Sequence, residues 1–199
     1  MSRDMLRTND IRFVDVARSL TDAEWAQPSL CAEWSNHEVL AHLVLGYRMP
    51  PRELTVGMIS HRGSFDRANA AAAADLARRH SPADLVNHYA ALIHRPRGIG
   101  RVFPRRLLLG DHVIHELDII FALGRHPGIG RETLAAVLDT QVRIPNPFVP
   151  AAARARGLKT SSRRCGLEPW RRRADGQRYR RAPGVGACRS AVGAAPPQR

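Results

Sequence analysis

The chain has 199 residues, of which 31 are Lys or Arg and 18 are Asp or Glu, giving a formal net charge of +13. The length suits one domain, with or without an appendage, and three scattered cysteines (Cys31, Cys165 and Cys188) exclude a disulfide framework or a CxxC zinc knuckle. The N-terminus lacks the apolar run of a signal peptide, and no segment is apolar over the roughly eighteen residues that a membrane span needs. We therefore expect a cytoplasmic protein.

The positive charge is concentrated at the C-terminal end. Residues 151–199 hold thirteen Arg and Lys but only two acidic residues, Glu168 and Asp175. The remaining 18 basic and 16 acidic residues leave residues 1–150 almost neutral. The basicity is a property of the tail, and we expect no specific nucleic-acid partner for the body of the protein.

Residues 1–150 carry apolar residues at three- and four-residue spacing, without the alternation that is typical of strands. Capping boxes of Thr21 with Glu24 and of Ser35 with Glu38 mark a short helical turn and a longer helix, and Ser81 caps another. In chain order, helices are predicted over residues 4–20 (with Ile11, Phe13 and Val14 among its apolar residues), 36–47, 52–60, 65–79, 82–93, 105–123 and 131–142.

Four main helices with mostly short connections favour an all-α fold, an up-down four-helix bundle over residues 1–150, in which sites form from side chains on facing helices. After about Pro150 the hydrophobic periodicity disappears, and Arg, Pro, Gly and small residues fill the chain. Such a segment buries too little apolar surface to offset its ordering entropy, so residues 151–199 are expected to form a poorly ordered basic tail.

Two segments about seventy residues apart carry side chains of the metal-ligand type. His42 lies in the helix over 36–47, and Asp111 and His115, four residues apart, share one face of the helix that begins at 105. Three such ligands can hold one divalent metal and leave a coordination position free for water or substrate. The alternative is a metal-free site, with a hydrogen-bonded His42 and with Asp111 paired to His115 or to an Arg.

Neighbouring residues have weaker claims. His112 is a rival ligand, but it lies roughly 100° around the helix from Asp111 and cannot easily share a metal with His115. Asp118, three residues after His115, either orients that ring through a hydrogen bond or is an ordinary helix-face carboxylate. Cys31 is interpreted as an inert packing residue, as are Trp25 and Trp34.

Three segments carry a resemblance to a known family: LTDAEWAQPSLCAEWSNHEVLAHLV, SFDRANAAAA and LLGDHVIHELDIIFALG. In this order they resemble the mycothiol-dependent maleylpyruvate isomerase N-terminal domain family, of the DinB/YfiT-like metal-binding four-helix bundles, over roughly residues 5–145. The resemblance implies a divalent metal, zinc, held by the His of the VLAHL element and by the acidic residue and His of an ExxxH element. These positions are His42, Asp111 and His115, with Asp111 in place of the longer Glu.

The resemblance also implies the chemistry. Mycothiol, a low-molecular-weight thiol, would be activated by the metal and add to a small electrophilic substrate in an isomerase or transferase reaction. The first alternative is a non-catalytic bundle, with a structural metal or none, that serves as a binding or stress-response module. The second is nucleic-acid binding through the Arg-rich tail. No residue is assigned to catalysis or to thiol binding.

The tail leaves the family pattern, which continues with a DWSHG-like stretch where this chain has CGLEPWR at 165–171. If these residues were encoded TGC-GGA-CTG-GAG-CCA-TGG-CGC, removal of one base would read Ala-Asp-Trp-Ser-His-Gly. We therefore hypothesise that the reading frame shifted near residues 157–165. The coding DNA tests this idea, which fails if no one-base shift restores an apolar segment like that of the family.

Overall fold

A computed structural model of the chain describes residues 2–31 and 33–143. The predicted tail and the proposed frame shift lie outside these residues. Within the described ranges the protein is all-helical, as predicted, apart from an isolated bridge between Pro28 and Ser35, and none of its helices has the length and apolarity needed to cross a membrane. The α-helices described are α1 (Ser2–Arg18), α2 (Asp22–Trp25), α3 (Asn36–Arg48), α4 (Pro51–Ser60), α5 (Phe65–Arg79), α6 (Pro82–His94), α7 (Arg105–Ala122) and α8 (Arg131–Arg143).

The helix starts follow the predicted caps. Thr21, Ser35 and Ser81 each accept a hydrogen bond from the backbone amide of the third helical residue, whose carboxylate accepts one in return from the cap's own amide. Each such cap contributes about 1 kcal/mol to helix stability. The pair Pro50-Pro51 marks the boundary between two helices. It follows the end of α3, and Pro51 is the first residue of α4.

The helix α7 has a central position in the core. α1 packs against α6 and α7, and α3 packs against α5, α6 and α7. α7 therefore lies between the helix that carries His42 and the N-terminal helix. The buried side chains at these contacts include Phe13, Leu40, Leu43, Leu85, Val113 and Ile119.

The buried face of α1 includes Phe13 and Val14 as predicted, but it differs from the prediction at three positions. Ile11 is 42% exposed, whereas Asn9 and Asp10 are buried. The polar residues lie inward because α7 presents polar partners, His112 and Glu116, to this face of α1. Apolar periodicity alone could not reveal this face, since its polar members are satisfied only across the helix–helix contact.

A 3₁₀ helix, Gly98–Arg101, lies between the helices predicted over residues 82–93 and 105–123. Its approach to the end of α3 is close: the amide of Arg97 donates to the Tyr47 carbonyl at 2.8 Å, and that of Ile99 donates to the Met49 carbonyl at 2.9 Å. These bonds satisfy carbonyls that the end of α3 would otherwise leave unpaired. Gly98 has a φ of +50°, and a Cβ there would lie 2.1 Å from the Met49 oxygen.

Replacing Gly98 with alanine should lower the free energy of unfolding by about 1–3 kcal/mol, because it adds left-handed strain and forces the segment away from α3. Urea denaturation of the purified chain measures the change. Gly130→Ala is the matched control, since a Cβ at Gly130 meets no atom within 4 Å. Equal midpoints for the two variants would show that the segment does not depend on this close approach.

Candidate metal centre

Asp111 and His115 of α7 face His42 of α3. The His42 Nε2 atom lies 3.3 Å from Asp111 Oδ2, and the His115 Nε2 atom lies 3.7 Å from Asp111 Oδ1. One ligand atom from each of the three residues lies within 4.8 Å of the other two. In a tetrahedral zinc site, with bonds of about 2.0–2.1 Å, neighbouring ligand atoms are about 3.4 Å apart. The fold therefore brings the three predicted ligands together at a spacing that suits one ion.

Both imidazole rings are held by their other nitrogen. His42 Nδ1 lies 3.1 Å from the Asn69 amide oxygen, and His115 Nδ1 lies 3.1 Å from Asp118 Oδ2. An amide oxygen and a carboxylate only accept hydrogen bonds, so each Nδ1 carries the proton and donates it. In the neutral rings the Nε2 lone pairs then point toward Asp111. Asp118 lies where it can orient His115, one of the two roles that the sequence left open.

The Nε2 atom of His42 lacks a well-aligned hydrogen bond. It is buried, and among the described residues it has only an ion-pair contact with Asp111 Oδ2 at 3.3 Å. An unpaired buried polar atom is costly in free energy, and a cation between His42 and Asp111 would remove that cost. The donor set therefore fits a divalent metal.

The charges of the three side chains are strongly coupled. Burial opposes ionisation of both His42 and Asp111. The attraction between them outweighs burial, so the pKa of His42 is raised and the pKa of Asp111, which also feels His115, is lowered. Asp111 is thus an ionised carboxylate at neutral pH, which is the form that binds metal.

Trp34 forms one wall of the centre. Its ring centroid lies 5.2 Å from that of His42 and 6.0 Å from that of His115, and the two imidazoles are themselves 4.7 Å apart. The sequence indicated only a packing role for this tryptophan. Trp25, in contrast, is a core residue with 2% exposure, as expected.

Cys31 lies near the same histidine. One ligand atom each from Cys31, His115 and Asp118 lie within 4.8 Å of one another. Burial, together with the charges of Asp118 and Asp111, raises the pKa of the Cys31 thiol. A thiol in this state is a weak nucleophile at neutral pH, in agreement with the interpretation that Cys31 is not catalytic.

His112 belongs to a separate polar network on the side of α7 that faces α1. The ring is 1% exposed, and its Nδ1 atom lies 3.0 Å from both carboxylate oxygens of Asp10 and 2.9 Å from the Tyr89 hydroxyl. Tyr47 also donates its hydroxyl proton to Asp10. His112 is therefore committed to α1 and does not join the metal ligands.

A second buried contact lies one turn further along α7. Glu116 is fully buried and forms an ion pair with Arg12, and Asn9 Nδ2 donates to Glu116 Oε2 at 3.3 Å. His112 and Glu116 thus anchor one face of α7 to α1. Asp111 and His115, each one residue earlier, are turned toward α3 by the same anchoring.

Sequence reasoning missed Asn69. It orients His42 and lines a cavity of about 400 Å³ between α3, α4 and α5, together with Arg48, Glu53 and Leu76. The one available signal is the asparagine itself in the helical run RANAAAAA. All the remaining residues after the arginine in this run are alanines. A cavity of this size can hold a small molecule beside the centre.

Replacing Asn69 with alanine should weaken zinc binding about 10- to 100-fold, because His42 loses the partner that fixes its ring and its tautomer. Competition with a chromophoric chelator measures the affinity. Asn87→Ala, at an exposed position on α6, is the control and should leave the affinity unchanged. Parental affinity in Asn69→Ala would show that His42 is oriented without its Nδ1 hydrogen bond.

Comparison with known proteins adds one match. Residues 6–98, a little under half of the chain, match the family model described as the mycothiol maleylpyruvate isomerase N-terminal domain. The matched range includes His42 and Asn69, while Asp111 and His115 follow it along the chain. Searches of curated proteins and of solved structures gave no significant match. The predicted resemblance is confirmed over the matched range: residues 6–98 of this chain are similar to the mycothiol maleylpyruvate isomerase N-terminal domain.

Proposed function

We propose that the protein binds one divalent ion, zinc, through His42, Asp111 and His115, and that it is a mycothiol-dependent protein of the isomerase or transferase type. The observation that carries the proposal is the buried Nε2 atom of His42, which lies 3.3 Å from Asp111 without a well-aligned hydrogen bond. Two imidazoles and one carboxylate form a donor set that zinc accepts readily, with one position left for a further ligand.

Zinc in such a site lowers the pKa of a coordinated thiol or water and so supplies a nucleophile at neutral pH. The residues of this chain bind the ion and orient its ligands. Asn69 and Asp118 hold the Nδ1 protons of the two histidines, and Trp34 covers one side of both rings. The family match supports mycothiol as the thiol and a small electrophile as its partner.

We also propose that the core helices follow one another in the up-down order of the DinB/YfiT-like bundles. The packing supports a ring of four helices, since α1 and α3 each contact both α6 and α7. In this arrangement His42 and the α7 ligands belong to facing helices, which is where bundles commonly place metals.

Metal analysis of the purified full-length chain tests the centre. The parent should hold one zinc per chain, and His42→Ala and His115→Ala should each lose it while retaining a helical circular dichroism spectrum. His94→Ala, at the exposed end of α6, is the matched control and should keep its zinc. A folded parent that does not bind added zinc would refute the proposal.

A second assay separates enzyme from binding module. The zinc-loaded chain is incubated with mycothiol and a panel of small electrophiles, including cis-unsaturated keto acids, and thiol adducts and isomerised products are measured. Metal-dependent turnover that is lost in His42→Ala supports the enzyme. A zinc-loaded protein that turns over none of them favours a non-catalytic module with a structural metal.

A further inference from the structure

The loop before α3 holds Cys31 against the second half of α7. The Ser29 hydroxyl donates to the Trp34 carbonyl at 2.9 Å and accepts from the Cys31 amide at 3.1 Å. The amide of Leu30 donates to the Asp118 carbonyl at 3.2 Å. The thiol is therefore placed beside Asp118 by a hydrogen-bonded loop and by a direct link to α7.

Cys31, His115 and Asp118 form a set of three ligand-type groups. One ligand atom from each lies within 4.8 Å of the other two, and His115 Nδ1 is 3.1 Å from Asp118 Oδ2. Cys31 is a free, half-buried thiol. Across the described part of the chain, no arginine forms an ion pair with Asp118 or Asp111, and histidines are the ion-pair partners that these two carboxylates have.

We propose that Cys31, His115 and Asp118 form a second, thiophilic cation site, which binds soft ions such as Cd²⁺ and Cu⁺ and competes with the centre at His42 and Asp111 for His115. A thiolate selects soft ions, whereas the first set, with two imidazoles and a carboxylate, has no sulfur ligand. The competition rests on the proposed zinc centre, but the existence of the Cys31 site does not.

The competition follows from the tautomers of His115. When Nε2 binds an ion beside Asp111, Nδ1 carries the proton and donates it to Asp118. For Nδ1 to bind an ion beside Asp118, this proton must leave, and in a neutral ring it then occupies Nε2. Binding at the second site also releases the thiol proton of Cys31. A neutral His115 therefore serves one site at a time.

A cadmium titration of the full-length chain tests the site. Cys165 and Cys188 are first replaced by serine, so that Cys31 is the only thiol. Added Cd²⁺ should produce the ultraviolet absorption of a cadmium–thiolate bond, saturating at one ion per chain. A further Cys31→Ser change should remove the band. Asp118→Asn should weaken cadmium binding at least tenfold, and His42→Ala should leave it intact.

Results that would contradict the second site differ from those that would contradict the competition. Loss of the band in His42→Ala with retention in Asp118→Asn would make Cys31 a fourth ligand of the first centre and would overturn the proposal. Absence of the band in the parent, or its persistence after Cys31→Ser, would also overturn it. In a mixed titration, zinc and cadmium should displace each other at a total of one ion per chain, and simultaneous binding of both would refute the competition.

Alkylation gives a second measurement that needs no change at Cys31. Iodoacetamide should modify the half-buried thiol of the folded Cys165→Ser/Cys188→Ser chain at a rate that mass spectrometry measures, and bound Cd²⁺ should slow the modification at least tenfold. An alkylation rate that cadmium does not change would count against the site. If the zinc centre fails its own metal analysis, the cadmium result still stands independently, because it does not require His42.

Discussion

Replacing Asp111 with alanine should weaken zinc binding by more than about 100-fold, because loss of a partner that only orients a ligand already costs 10- to 100-fold. Asp111 is the residue that both histidines face, with its two oxygens 3.3 Å and 3.7 Å from their Nε2 atoms. Removing it leaves two imidazoles and no negative charge for the ion. Isothermal titration with zinc, supported by chelator competition, measures the loss.

Asp111→Glu is the conservative variant and should retain zinc binding within about tenfold, because glutamate keeps a carboxylate ligand at this position. Asp139→Ala on α8, whose carboxylate pairs only with Arg143 among the described residues, controls for loss of surface charge. Parental zinc affinity in Asp111→Ala would exclude this carboxylate as a ligand. A glutamate variant as weak as the alanine variant would show that the site is built for the shorter side chain.

Replacing Asp10 with alanine should lower the free energy of unfolding by about 3–5 kcal/mol. The carboxylate is completely buried and accepts hydrogen bonds from the Tyr47 hydroxyl and from His112 Nδ1. Without it, the Tyr47 hydroxyl loses its acceptor, and His112 Nδ1 keeps only its contact with the Tyr89 hydroxyl. Guanidinium denaturation measures the change, provided that the slope of the transition stays constant.

Tyr47→Phe is the matched control for Asp10. It removes one hydroxyl from the same network and should cost about 1 kcal/mol, since the His112 contact with Asp10 remains. A loss below about 1 kcal/mol in Asp10→Ala would contradict a structural role for the network. Asp10 does not contact the metal ligands. If the network around Asp10 sets the orientation of α7, folded Asp10→Ala should also bind zinc with lower affinity than the parent.

Most of the fold followed from local signals. Ser35 with Glu38 and Ser81 before Pro82 mark helix starts through bonds made within four residues, so the sequence reveals them directly. The 3₁₀ turn at Gly98 could not be predicted in this way, since its hydrogen bonds go to the end of α3, about fifty residues earlier. Tertiary contacts decided its conformation.

In the candidate site, too, local relations could be predicted from the sequence, and tertiary contacts could not. Asp111 and His115 were placed on one face because spacing within a helix fixes their relation, and His112 was set apart by the same rule. Asn69 lies on another helix, and the register of α5 against α3 is a product of packing. The network around Asp10 was not predicted, for a related reason. Asp10 and Asn9 are buried polar residues, and such burial can be predicted only when their partners on the neighbouring helix are known.

The arrangement of α7 links stability to the site. Its two polar faces are offset by one residue, with His112 and Glu116 bound to α1 and with Asp111 and His115 turned toward α3. A rotation of α7 that spoiled the metal ligands would also unpair the buried groups around Asp10 and Arg12. Preorganisation of this kind holds ligands in position before the ion arrives.

The position of Trp34 has a practical consequence. An indole in contact with both imidazoles is a built-in optical probe, because a paramagnetic ion such as Cu²⁺ bound between them quenches tryptophan emission at short range. Titration with Cu²⁺ should therefore dim the parent far more than Trp34→Phe, in which Trp25, a core residue, and Trp170 remain. Light emitted by the unlabelled chain can thus follow the filling and emptying of the centre in real time.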